Sequence, residues 1–210
     1  RLERQLADAG FAHPTIYAAV SDPVAFNAYV PLGARNALPW VVRTLLLPFS
    51  LSRVLAERGA LALRNLLGCE PARLSPVLVV TAVRGARRRI PPALLQAAAD
   101  FLDADPGELH ALVLADNGNR LVMLPFTAAS AAPLAVLKVP KRRAFNDRTV
   151  NESEMLTRLR EKVGPPLAAD LPVPLGRFRF SSLEVAVEQY LPGESLLRSI
   201  VRWGTPVERK

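Results

Sequence analysis

From residue 109 to residue 197 the apolar and polar positions fall into short alternating runs, broken once by a helical spacing. Residues 109–115 and 121–126 are two apolar runs around Asp116-Asn117-Gly118-Asn119-Arg120, and an Asn-Gly turn between such runs predicts a β-hairpin. In Leu134-Ala135-Val136-Leu137-Lys138-Val139, strand alternation puts Leu134, Val136 and Lys138 on one face and Ala135, Leu137 and Val139 on the other. A helix follows, in which Glu152, Leu156, Leu159 and Val163 share one stripe and are expected to face the sheet, with Glu152 at its inward edge. Residues 173–180 and 183–188 alternate again around Ser181-Ser182, which predicts two more strands. Glu188-Gln189-Tyr190-Leu191-Pro192-Gly193 breaks the alternation, and a further helix is expected from Glu194.

The preceding residues are more varied. Leu2, Leu6 and Ala9 recur on one helical face and Gly10 ends it. Residues 11–20 read as a strand closed by Ser21-Asp22-Pro23. A helical pair is expected between Leu38 and Leu67, then a short β-branched strand over 76–83. Ile90-Pro91-Pro92 opens another helix, whose apolar face is Leu94, Leu95, Ala98, Phe101 and Leu102 and which ends over 103–107. The expected class is mixed α/β (α+β), divided into a segment 1–89 and a segment 90–210.

Composition narrows the chemistry. Half of the 210 residues are hydrophobic, enough to bury a core. The formal charge of +8 is spread along the chain, with clusters only at residues 84–89 and 138–143. Few aromatics lie among them, so base stacking on single-stranded nucleic acid has little to build on. Cys69 is the only cysteine, which rules out an intrachain disulfide framework. His13 and His110 have no metal-ligand spacing. The apolar stretch over 38–67 is interrupted by Arg43, Arg53, Glu57, Arg58 and Arg64, unlike a membrane span of about 20 apolar residues. No signal peptide is visible, and a cytoplasmic location is expected. The start at Arg1 and the helix-like end predict a piece of a longer protein.

Lys138 carries the chemistry. An ammonium on a central strand among aliphatic neighbours loses hydration, at a cost of several kcal/mol, roughly, unless an anion stands beside it. It either snorkels out past Pro140 or pairs with the inward Glu152 of the next helix. That pair is either a structural ion pair or the device by which kinase-like lobes hold a lysine toward ATP phosphates.

Two resemblances follow. Leu6-Ala7-Asp8-Ala9-Gly10-Phe11 and the run over 74–83 resemble the C-terminal end of a class I methyltransferase domain, without its glycine-rich cofactor loop. An ordinary α/β packing segment is the alternative. Then Pro-Leu-Ala-Val-Leu-Lys at 133–138, Glu152 followed by Leu156 and Leu159, Leu-Pro-Val-Pro at 171–174, and Glu-Gln-Tyr-Leu-Pro-Gly-Glu-Ser-Leu at 188–196 resemble the N-terminal lobe of the aminoglycoside phosphotransferase and choline kinase-like family. The resemblance implies a kinase-like N-lobe, an antiparallel sheet plus one helix, binding ATP with Mg²⁺. It implies that Lys138 contacts the phosphates, that Glu152 orients it, that Glu188 and Tyr190 offer backbone hydrogen bonds to adenine, and that the Gly118 turn covers the phosphates. The implied reaction moves the γ-phosphoryl of ATP to a hydroxyl of a small molecule. Neither histidine is followed by Gly-Asp or Arg-Asp, so the resemblance places the general base and the Mg²⁺ ligands in a C-terminal lobe, and no catalytic residue is assigned here. Two other readings stay open: a basic module that binds nucleic acid or an anionic membrane, and a degenerate kinase lobe used as a scaffold.

Overall fold

Gly10 takes a left-handed φ of 83°, and its N–H donates to the Ala7 carbonyl at 2.9 Å, which stops helix α1 (Leu2–Asp8) and starts strand β1 (Phe11–Ser21). This computed structural model describes residues 2–21, 27–41, 78–84, 92–115 and 118–192. Most of the helical pair expected over 38–67, the basic run beyond Arg84, the Asp116-Asn117 part of the hairpin turn and the helix expected from Glu194 lie outside the described residues.

Among the described residues the other strands and α-helices, beside a 3-10 turn at Arg143–Phe145, are β2 (Asn27–Pro31), α2 (Ala37–Val41), β3 (Leu78–Arg84), α3 (Ala93–Leu102), β4 (His110–Ala115), β5 (Arg120–Phe126), β6 (Val136–Pro140), α4 (Asn146–Lys162), α5 (Pro165–Ala169), β7 (Pro174–Phe180) and β8 (Leu183–Glu188). The strands form one eight-stranded sheet in the order β3-β1-β2-β4-β5-β6-β8-β7. Every neighbouring pair is antiparallel. The architecture is thus mixed α+β around an antiparallel sheet. Strands from both segments share it, because β2 pairs with β4 through Asn27↔Ala115, Ala28↔Leu114 and Tyr29↔Val113.

Strand alternation divides the core between the two faces. Ala111, Met123, Leu137, Val139, Val185 and Val187 point one way and meet Leu95, Ala98 and Ala99 of α3. Ala28, Val30, Leu112, Leu124 and Phe126 point the other way and meet Ala37, Trp40 and Val41 of α2. Full burial of a Leu, Val or Phe side chain stabilises by about 1.5–3 kcal/mol, so each helix is fixed by its apolar contacts and not by its own few turns. α3 ends where Asp103 adopts φ 52°, close to the expected end.

One expectation about α4 is corrected. Its buried positions are Thr149 and Ser153, while Leu159 is 45% exposed. Small side chains on the inward stripe let the helix lie close to the sheet, and the Thr149 and Thr157 hydroxyls donate to backbone carbonyls one turn back, at 3.3 and 3.0 Å. Glu152 beside Ser153 keeps its expected inward edge. Among the described residues no helix is long and apolar enough to cross a membrane.

Candidate functional site

β6 has Val122 of β5 opposite Lys138 on one side and Ala186 of β8 on the other. The methyl group of Ala186 leaves room for the lysine stem, and the Lys138 side chain is 16% exposed. It lies on the α2 and α4 face of the sheet, as the alternation predicts. Its Nζ donates to Glu152 Oε1 at 2.6 Å. The same Nζ stands 2.6 Å from Oε1 of Glu188, whose side chain is only 4% exposed. The second contact is an ion pair by distance but lacks hydrogen-bond directionality, so Glu188 Oε1 is buried with a charge partner and no directed donor.

Arg120, the first residue of β5, completes the group: its Nη1 donates to Glu152 Oε2. Two cations and two carboxylates therefore meet on one face and neutralise one another. Burial alone would raise the Glu152 pKa. The hydrogen bond and charge of Lys138, joined by those of Arg120, outweigh it and hold the carboxyl below its ordinary value.

Beside this quartet the same face is apolar and aromatic. Phe126, Val136 and Tyr190 belong to the cluster closed by α2. Trp40 Nε1 donates to the Tyr190 hydroxyl at 3.1 Å. The Trp40 ring meets Phe126 and Tyr190 edge-on, with centroids 5.8 and 5.9 Å away.

The five residues singled out in the sequence fall into three places. Lys138, Glu152 and Glu188 come together, Glu188 through its side chain as well as its position at the end of β8. Glu188 pairs with Val136 and Pro174 in the ladder, and Gln189 N–H donates to the Val173 carbonyl at 2.8 Å. Tyr190 lies past the strand end against Trp40. Gly118 is exposed at the hairpin tip ahead of Arg120, and the tip is tied to the loop after β6 by Lys141 N–H donating to Asn119 O at 2.9 Å. Sequence reasoning missed Arg120 and Trp40. Arg120 has the same strand parity as Val122 and Leu124, and the Val122↔Lys138 register puts that parity on the lysine's face.

A separate cleft of about 760 Å³ opens where the start of α4 meets the β7–β8 hairpin, lined by Arg143, Asn146, Asp147, Arg177, Arg179 and Glu184 among others. Its charges are of both signs, and the Lys138 quartet is not part of it. Among the described residues no group of three or more His, Cys, Asp or Glu is placed to hold a metal ion. Compared with known proteins, the chain matches no family model, no curated protein and no solved structure.

Proposed function

We propose that the Lys138 face grips the phosphates of ATP, as the nucleotide-binding lobe of a kinase-like small-molecule phosphotransferase. One observation carries the reading: an ammonium on the third strand of the β4-β5-β6 meander is held at 2.6 Å by a carboxylate on the helix that follows. That is the order of parts by which kinase lobes aim a lysine at phosphate oxygens. Arg120 adds a second cation on the same face, and Phe126, Val136 and Tyr190 form an apolar flank beside it that Trp40 covers. Lys138 and Arg120 are the cations that phosphate oxygens would meet, each already facing a carboxylate, with apolar surface beside them.

In this reading Glu152 keeps the ammonium oriented, and Glu188 fixes the lysine from the strand side. The backbone of Glu188 and of Tyr190 would serve adenine, and the Gly118 turn the phosphates, as the sequence resemblance implies. ATP, when bound, supplies the phosphoryl group for a hydroxyl acceptor. In this reading the lobe contributes grip and orientation. The first segment, with its likeness to a methyltransferase end, serves here through β1 to β3 and α2.

The scaffold alternative draws on one specific feature, the self-neutral quartet, which satisfies its own charges without a ligand. Binding assays separate the readings. ATP binding lost in a folded Lys138→Ala variant supports the nucleotide lobe. A folded protein that ignores ATP supports the scaffold. DNA or anionic-liposome binding that falls steeply with salt and ignores Lys138→Ala supports a basic module.

A further inference from the structure

The flank of the lysine face that a flat base would use is already filled. Trp40 is 3% exposed, and with Ala37 and Val41 it closes over Leu124 and Phe126, with Val136 and Tyr190 packed alongside. Its indole makes the contacts that a bound heteroaromatic ring would make there: edge-on stacking with two aromatic rings and an N–H donated to the Tyr190 hydroxyl. α2 is also moored at its start, where Asn36 Nδ2 donates to the Ser130 carbonyl at 3.0 Å. Tyr190 belongs to the linker that the nucleotide reading assigns to adenine. One residue is therefore shared by the helix and the proposed ligand.

We infer that α2 is a built-in occupant of the base side of this site, and that a nucleotide base enters only as Trp40 leaves. The inference rests on the nucleotide reading of the Lys138 face and adds its regulation. The described residues of α2, Ala37–Val41, bury Ala37, Trp40 and Val41 against the sheet. Its position rests on contacts of the Trp40 ring that a ligand ring can replace. Apparent affinity is the intrinsic affinity reduced by the fraction of molecules with the slot open. Weakening the hold of α2 should therefore tighten nucleotide binding, the opposite of what loss of a ligand contact does.

The test uses the full chain with Trp203→Phe, which leaves Trp40 as the only tryptophan. ATP is titrated while Trp40 emission and acrylamide quenching are followed. Affinity is measured calorimetrically in parallel for Trp40→Phe, Tyr190→Phe and Asn36→Ala, each checked for a cooperative melt. The Tyr190 backbone, to which the adenine role is assigned, is retained in Tyr190→Phe. The expected result is a red-shifted, more quenchable Trp40 on ATP addition and roughly fivefold tighter ATP binding when the Trp40–Tyr190 hydrogen bond is removed, the size of one such bond. ATP binding that depends on Lys138, with Trp40 emission and all three variant affinities unchanged, overturns the inference and leaves the nucleotide reading standing. ATP binding in none of the folded proteins overturns both.

Discussion

Lys138 Nζ lies 2.6 Å from Oε1 of Glu188, on the strand beside its own, where the carboxylate side chain is 4% exposed. A carboxylate so placed depends on the lysine, because it has no directed hydrogen bond at that oxygen. Lys138→Met is expected to destabilise the fold by about 3 kcal/mol by leaving that charge buried and uncompensated. Adding Glu188→Leu should recover a large part of the loss. Urea unfolding of both single variants and the double variant measures the coupling, and additive losses would show that the two charges do not support each other.

Glu152 gives a pH signature. Its folded pKa lies below the ordinary 4.5, because Lys138 and Arg120 outweigh the opposing effect of burial. The unfolded chain therefore takes up a proton first as pH falls. The stabilisation from this group is complete above the unfolded value and is lost as pH drops through the folded one. Glu152→Gln should flatten that part of the stability–pH curve. Equal acid sensitivity of wild type and variant would assign it to other carboxylates.

Arg120 and Glu152 are more exposed, at 37% and 36% of their side chains. Arg120→Gln should cost less than about 1 kcal/mol of stability, as partly solvated pairs do. Its larger effect is expected on ligand choice: the preference for ATP over AMP should shrink if the guanidinium faces phosphate. Calorimetric titration of both nucleotides reads this directly, and an unchanged ratio would confine Arg120 to holding Glu152.

Gly176 has φ 136°, and a Cβ there would sit 3.1 Å from the Phe101 ring of α3. Gly176→Ala should destabilise by about 1–3 kcal/mol through backbone strain, before any crowding of Phe101. A thermal melt checks it. A variant as stable as wild type would mean that the start of β7 can relax to negative φ.

Much of the lysine face is legible in the sequence because strand parity is local. Alternation around Lys138 places Leu137 and Val139 in the core and turns the ammonium the other way. The Asn-Gly turn locates the β4–β5 hairpin, and Glu152 does reach Lys138 although the leucine stripe that pointed it inward is not the buried one. What depends on strand order is not legible. Glu188 reaches Lys138 only because β8 inserts between β6 and β7, and no local pattern fixes that insertion. The Trp40–Tyr190 contact joins distant parts of the chain and has no periodic signal at all. The inward stripe of α4 escapes hydrophobic periodicity, because close approach to the sheet selects Thr149 and Ser153 there instead of leucines.

The most direct measurement is calorimetric titration of ATP into the wild-type chain and into Lys138→Ala, both shown to be folded by a cooperative melt. Saturable binding by the wild type that disappears in Lys138→Ala is the expected result. Binding that survives the substitution, or no binding to the folded wild type, would contradict a phosphate-gripping role for the Lys138 face.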